Sequence, residues 1–337
     1  MNILFNDEQR RLLTNLAQFY DAWISAERSL RELPSGRLAW KRVGGREYLY
    51  QILDRNGNGK SLGPRSPENE ARHEQYRAGV AARDGALARL QDTGRMYRAL
   101  RLPMLASAAA EILREADTRG LLGTSLLVVG TNAMPAYEIE AQCRLVARLD
   151  ETEDFNLAWI GSSTRFTMTA VPSSPVLDML KTVDATYTVN SERPFQARNS
   201  AAYEVELLVA PSMASSLPPG EKLAPVPLPE QEWLLQGERV DQIVCARDGL
   251  PARIVVPDPR WFALHKMWLA EKPKRNAKKR PKDKAQAEAL LQLVANVMPH
   301  FPLDEKFSAS LPAELKEHFD RWRSAPPTVS QAPKVTR

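Results

Sequence analysis

The residues best suited to chemistry fall in three short segments. The first is Val129-Gly130-Thr131-Asn132, an apolar run that ends in a glycine turn and a helix start. A glycine there lets the backbone approach a ligand, and the unsatisfied N–H groups of a helix start attract phosphate. The second is TEDFNL, Thr152 to Leu157. On a strand, Asp154 and Asn156 share one face because side chains alternate. The third is YEVELL, Tyr203 to Leu208, where Glu204 and Glu206 share a face opposite Val205 and Leu207. Alternating carboxylates on neighbouring strands present the oxygen ligands magnesium takes, usually together with substrate phosphates. Two such ions clamp the attacking and leaving oxygens of a phosphoryl transfer. By themselves the segments also read as ordinary strands with solvent-facing carboxylates.

The elements that position these segments are legible in outline. A helix is expected over residues 6–32, where Leu12, Leu16, Phe19, Tyr20, Trp23 and Ile24 recur at helical steps and Asn6 or Asp7 caps the start. Residues 38–53 read as a hairpin about Gly44-Gly45. The turn-rich stretch from Asp54 to Ser66 lacks the glycine spacing of a phosphate loop and reads as a second hairpin turn. A polar helix is expected over 67–94. Its region's arginines, Arg77, Arg83, Arg89, Arg95 and Arg101, lie six apart and so spread around the axis. A further helix is expected over 103–118, started by Pro103 and stopped by Gly120. A buried strand at 126–129 leads into a helix reaching about Gln142. Strand patterns at 144–149, 154–160, 165–171, 184–188 and 203–209 then dominate to about residue 256, broken by a proline-rich loop from Pro218 to Pro229. Residues 259–298 are helical with a basic insertion, and the tail from Ser324 lacks core residues and reads as disordered.

Composition narrows the class. With 43% hydrophobic and 26% charged residues, the chain carries a real core. No apolar run reaches the ~18 residues of a membrane span, and the first residues lack a signal-peptide pattern. A soluble, cytoplasmic protein with no membrane partner is expected. Cys143 and Cys245 read as buried thiols. His73, His265, His300 and His318 show no ligand spacing, so zinc is not expected. Trp261, Phe262, Trp268 and Trp322 read as core. The net charge of +5 permits a polyanionic partner without demanding one.

Taken together, Gly130-Thr131, Asp154-x-Asn156 and Glu206 resemble the nucleotidyltransferase signature of the DNA polymerase beta superfamily: a Gly-Ser or Gly-Gly pair, an Asp-x-Asp or Asp-x-Glu strand, and a later single carboxylate. The chain is similar in particular to prokaryotic nucleotidyltransferase-fold proteins related to AbiEii-type toxins. The resemblance runs through WKRVGGREYLY and KSLGPRSPENE within 40–70, VVGTNAMPAYE at 128–138, TEDFNLAW at 152–159, and ALHKMW with KRPKDKAQAEALL within 263–291. It implies an α/β (α+β) fold, with a mixed nucleotidyltransferase-type sheet between helical regions. The expected divisions are a helical and hairpin region at 1–119, a core at 120–258, a helical region at 259–323 and a tail at 324–337. It further implies transfer of a nucleoside monophosphate from a nucleoside triphosphate to an acceptor hydroxyl with Mg2+ or Mn2+. The acceptor would be RNA, transfer RNA among the candidates, or a protein. Gly130, Thr131 and Asn132 would hold the triphosphate, Asp154 would bind the metal, and Glu206 would help a metal or act as the base on the incoming hydroxyl. Lys266, Lys282 and Asp283 would contact nucleotide or acceptor.

Asn156 departs from the signature, which has a carboxylate there. One charge pair at 4 Å is worth about 4 kcal/mol at an effective dielectric near 20, or roughly a thousandfold in rate. Four readings stay open: a disabled enzyme, compensation by Glu204 or Glu153, a one-metal site, or an engineered Asp→Asn change. Residues 271–284, EKPKRNAKKRPKDK, hold eight lysines and arginines against Glu271 and Asp283. Lys274, Arg275, Lys278, Lys279 and Arg280 are candidates for binding an acceptor's phosphates. Six such contacts to a single strand would give a log–log salt slope of about −4. Two rival readings are a nucleotide- or RNA-binding pseudoenzyme and a protein-interaction subunit of a toxin–antitoxin or phage-defence system.

Overall fold

In the computed structural model of the chain, which describes residues 3–145, 154–161 and 174–325, the first long helix opens on a capping box. The short strand β1 (Ile3–Leu4) precedes it, and α1 spans Asp7–Arg31. Asn6 accepts from the Gln9 backbone N–H at 2.9 Å, and the Gln9 side chain accepts from the Asn6 N–H at 2.8 Å. Leu12, Leu16, Tyr20 and Ile24, four residues apart, form its buried stripe. Strands β2 (Arg37–Val43), β3 (Arg46–Ile52) and β4 (Gly59–Pro64) form an antiparallel meander, so part of the turn-rich stretch after Asp54 is a third strand.

Helix α2 (Pro67–Ala99) packs on α1 and runs five residues beyond the expected end. Gly94 lies inside it, at a close approach: a Cβ there would sit 1.9 Å from the Gly249 carbonyl oxygen. Its arginines are dispersed as expected. Arg89 lies over the Phe19 ring, whereas Arg95 pairs with Asp92. Helix α3 (Ser107–Thr118) begins four residues later than Pro103 suggested. The chain before it is pulled into extended pairing, the Leu105 N–H donating to Cys245 O and the Leu105 carbonyl accepting from the Arg247 N–H.

The site rests on a five-stranded mixed sheet. Strand β5 (Leu126–Val129) is buried throughout. A single 3-10 turn at Thr131–Ala133 follows, then α4 (Met134–Glu140) and β6 (Cys143–Arg144), which pairs with β1. Strand β7 (Asp154–Trp159) comes next, then α5 (Pro175–Val183), β8 (Thr188–Val189), β9 (Gln196–Arg198) and β10 (Glu204–Val209). The order is β5-β7-β10-β9-β8, with β7 and β10 parallel and the other neighbours antiparallel. The expected strand at 184–188 is corrected: Asp184 ends α5 and only Thr188 is in a strand. Helix α5 was not foreseen because its start is held from afar. The Glu221 carboxylate accepts from the Val176 N–H at 2.6 Å and the Ser174 hydroxyl at 2.5 Å. The expected strand at 165–171, most of that at 144–149, and the tail from 326 lie outside the described residues.

After the short α6 (Pro211–Ala214), β11 (Val240–Cys245) and β12 (Pro251–Val256) form a hairpin packed on α3, α4 and β5. Helices α7 (Pro259–Glu271) and α8 (Arg280–Val297) pack together, and α9 (Glu305–Ser310) and α10 (Ala313–Ser324) finish the described chain. One core cluster runs from Phe5 to Phe319 and draws on α1, the sheet and α7–α10. Asp117, 1% exposed, accepts from the Tyr20 hydroxyl and pairs with Arg28 and Arg253, which ties α1, α3 and β12. Cys143 and Cys245 are buried and not disulfide-bonded. No helix among the described residues is long and apolar enough to cross a membrane.

Candidate active site

Strand register brings the three chemical segments together. In the antiparallel β5–β7 pair Val129 lies opposite Asn156, and in the parallel β7–β10 pair Asp154 aligns with Glu204 and Asn156 with Glu206. Asn156 therefore sits between the Gly130 turn and Glu206. Gly130 has φ +74° and ψ −160°, a region essentially reserved for glycine. A Cβ there would lie 2.9 Å from Asn156 Nδ2. The glycine thus allows the turn to close down on β7.

A cavity of about 340 Å³ opens over this row. Gly130, Thr131, Asp154, Asn156 and Glu206 line it from the sheet. Lys266, Arg275, Lys279, Lys282 and Asp283 line it from α7, α8 and the loop between them. The loop is the basic run, and much of it is turned inward. Lys279 Nζ lies 2.9 Å from Asp154 Oδ2. Arg275 pairs with Asp283 Oδ2 at 2.6 Å, and Lys266 with Asp283 Oδ1 at 3.0 Å. Arg280 donates to the Lys272 and Pro273 carbonyls, and Lys272 pairs with Glu230. Lys274 and Lys278 remain exposed.

The electrostatics follow from burial. Burial raises the Glu206 pKa above the usual carboxylate range, and the Asp154 charge adds to this. Lys279 and a hydrogen bond from Gln196 pull it back. Gln196 Nε2 reaches both Glu204 and Glu206, at 3.0 and 3.2 Å, and fixes the two carboxylates. Burial lowers the Lys266 pKa, with the Asp283 charge opposing. His265, fully enclosed and beside Lys266, is driven down to about 3 and is neutral at ordinary pH. Four carboxylates and four cations line the cavity: Asp154, Glu206, Glu230 and Asp283 against Lys266, Arg275, Lys279 and Lys282. A triphosphate entering this balanced site needs further positive charge.

Two candidate residues stand elsewhere than expected. Asn132 is buried, does not line the cavity, and donates from Nδ2 to the Asp154 carbonyl at 3.1 Å. It braces β7 beneath the Asp154 side chain. Glu204 lies beside Glu206 but does not line the cavity, which weakens its case as a substitute for the missing carboxylate. Glu153 lies outside the described residues. Gln196, Gln231 and Gln286 escaped the sequence reading. Gln286, fully buried, donates to Thr131 Oγ1 at 3.4 Å.

A glycine-turned helix start facing carboxylates on adjacent strands, under a cationic wall, is an arrangement suited to handling a nucleotide triphosphate. A family model described as nucleotidyltransferase matches residues 107–311, more than half of the chain. This chain belongs to that nucleotidyltransferase family. No curated protein and no solved structure matches it. The match begins with α3 and spans the sheet, the hairpin, α7 and α8, so it covers every residue that lines the cavity.

Membership implies a nucleotide substrate and a divalent metal. The donors at the row fit a hard cation: the carboxylates of Asp154 and Glu206 and the amide oxygen of Asn156 are all oxygen ligands. Among the described residues no cluster of three or more histidines, cysteines and acids adds to them. Among the described residues the row therefore offers two charges where the signature offers three.

Proposed function

We propose that this nucleotidyltransferase moves a nucleoside monophosphate from a nucleoside triphosphate to an acceptor hydroxyl. The observation that carries this reading is the cavity in which Gly130, Asp154, Asn156 and Glu206 face Lys279 and Lys282. In the reaction the acceptor oxygen bonds to the α-phosphorus, the bond to the bridging oxygen of the β-phosphate breaks, and pyrophosphate leaves with that electron pair. Asp154 and Glu206 would hold Mg2+ or Mn2+, which supplies positive charge to the phosphoryl oxygens in the transition state. In its alternative role Glu206 would accept the acceptor's proton instead of holding the metal. The Gly130–Thr131 turn offers helix-start N–H groups to the phosphates, and Lys279 and Lys282 offset their charge.

The acceptor we favour is RNA, transfer RNA in particular, in keeping with the likeness to AbiEii-type proteins; a protein hydroxyl is the other candidate. The exposed lysines Lys274, Lys278 and Lys284 are available to its phosphates. Three such contacts give a log–log salt slope of about −2, half that of six.

A second reading has its own support. With Asn156 in place of a carboxylate and Lys279 seated on Asp154, the cavity also suits a protein that binds nucleotide without transferring it. The deciding experiment incubates the protein with each α-labelled nucleoside triphosphate, Mg2+ or Mn2+, total RNA and cell lysate, beside an Asn156→Asp variant. Label on RNA or protein with the natural sequence supports the enzyme. Label with the variant alone supports a silenced member, and none with either supports the binding protein.

A further inference from the structure

Two polar atoms in the cavity wall are left without hydrogen bonds. Gln231, on the 3-10 segment Pro229–Leu235, and His265, on α7, line the cavity, and each is 5% exposed. Gln231 Oε1 and His265 Nε2 are buried and have no hydrogen-bond partner among the described residues. Each such orphan is costly, and native proteins seldom tolerate one without a reason. Both side chains are also held in place. The His265 ring stacks near Trp268 and meets Trp233 edge-on, with centroids 6.4 and 6.2 Å apart. Glu230, next to Gln231, is pinned by Lys272 at 2.9 Å. Leu234, Phe262 and Leu269 supply apolar wall around them. A flat, largely apolar group with hydrogen-bonding edges would satisfy the orphans and fill the space. A triphosphate alone would do neither.

We infer that Gln231 and His265 form a nucleobase subsite, in which Gln231 Oε1 accepts a hydrogen bond from a base N–H and His265 Nε2 bonds a second position on the same ring edge. This rests on the reading of the cavity as a nucleotide site. Glu230 and Lys266 flank the two side chains, and the other charged groups stand on the sheet and around the α7–α8 loop, so base and phosphates would meet different parts of one cavity. A neutral amide beside a neutral imidazole discriminates by donor and acceptor pattern rather than by charge. The protein would therefore prefer one base over the others.

The test measures binding of the full-length protein to each of the four nucleoside triphosphates and to inorganic tripolyphosphate by calorimetry, with Ca2+ to support binding. The variants are Gln231→Leu and His265→Phe, which keep volume and ring packing. One nucleotide is expected to bind at least about tenfold more tightly than tripolyphosphate, and each variant to lose about that factor for the nucleotide while binding tripolyphosphate unchanged. Gln231→Leu is also expected to melt no lower than the natural protein, because it removes an orphan. That pairing of unimpaired stability with lost base preference is not produced by a structural glutamine. Nucleotides binding no better than tripolyphosphate, or variants that keep their base preference, would overturn the subsite and leave the phosphate site standing. Binding of neither probe would overturn the nucleotide reading itself, and the subsite with it.

Discussion

Replacing Asn156 by aspartate tests the site most directly, because it restores the signature's third charge in a place already crowded with negative charge. Asn156 is in register with Glu206 on the neighbouring parallel strand, and Glu206 is already held above its usual range by burial and by Asp154. Same-face neighbours on adjacent strands stand about 5 Å apart, and two carboxylates at that distance repel by about 3 kcal/mol at an effective dielectric near 20. Attraction to Lys279 offsets part of this, which leaves a net loss of roughly 2 kcal/mol in metal-free protein. Such a loss lowers the Tm of a chain this long by about 3 °C. A divalent cation reverses the sign, since the added carboxylate becomes a ligand. At a hundredfold excess over its dissociation constant it returns about 2.7 kcal/mol. Thermal unfolding in EDTA and in saturating Mn2+ reads both effects. The expected result is a variant that melts lower without metal and regains the natural Tm or exceeds it with metal, while the natural protein moves less. Transfer activity rises with it, by up to about a thousandfold. Equal metal shifts for the two proteins, or no destabilisation in EDTA, would refute the placement of Asn156 beside Glu206 at the metal site.

Other perturbations follow from the same geometry. Asp283→Asn leaves buried Lys266 without its carboxylate and is expected to cost about 3–5 kcal/mol in chemical denaturation, whereas the double change Lys266→Met with Asp283→Leu costs less. Gly130→Ala forces a side chain into a glycine-only conformation against Asn156; a loss of about 1–3 kcal/mol in unfolding free energy is expected, together with weaker triphosphate binding. Glu138 has its pKa raised by burial to about 7, against the opposing Leu145 N–H and Arg144. Between the unfolded carboxylate value and about 7 the native state holds a proton that the unfolded chain has lost, so this group's contribution falls as pH rises through that window. Glu138→Gln should therefore leave stability unchanged below about pH 4.5 and raise it above pH 7, by an amount on the order of 3 kcal/mol, as read from denaturation midpoints across pH.

Local signals determined a good deal of this protein. The capping box at Asn6, the four-residue stripe from Leu12 to Ile24, the Gly44-Gly45 hairpin and the strand alternation in DFNL and EVEL are all short-range patterns, and each forms where its residues dictate. The mixed α and β character and the nucleotidyltransferase signature were legible for the same reason: type and spacing within a few residues carry them. What needed the tertiary structure is everything set by partners far along the chain. Helix α5 takes its cap from Glu221, and the start of α3 is delayed by pairing of Leu105 with the β11–β12 hairpin. Asn132 reads as a phosphate ligand in one dimension, yet its amide braces the Asp154 backbone 22 residues away. The run EKPKRNAKKRPKDK gives no sign in sequence of which cations face solvent. Helix packing decides that Lys279 reaches Asp154 and Arg275 reaches Asp283, while Lys274 and Lys278 stay outside. Gln231 carries no local pattern, and His265, although within ALHKMW, carries no sign in sequence of which way its ring faces. They line one cavity because the segment before β11 folds onto α7.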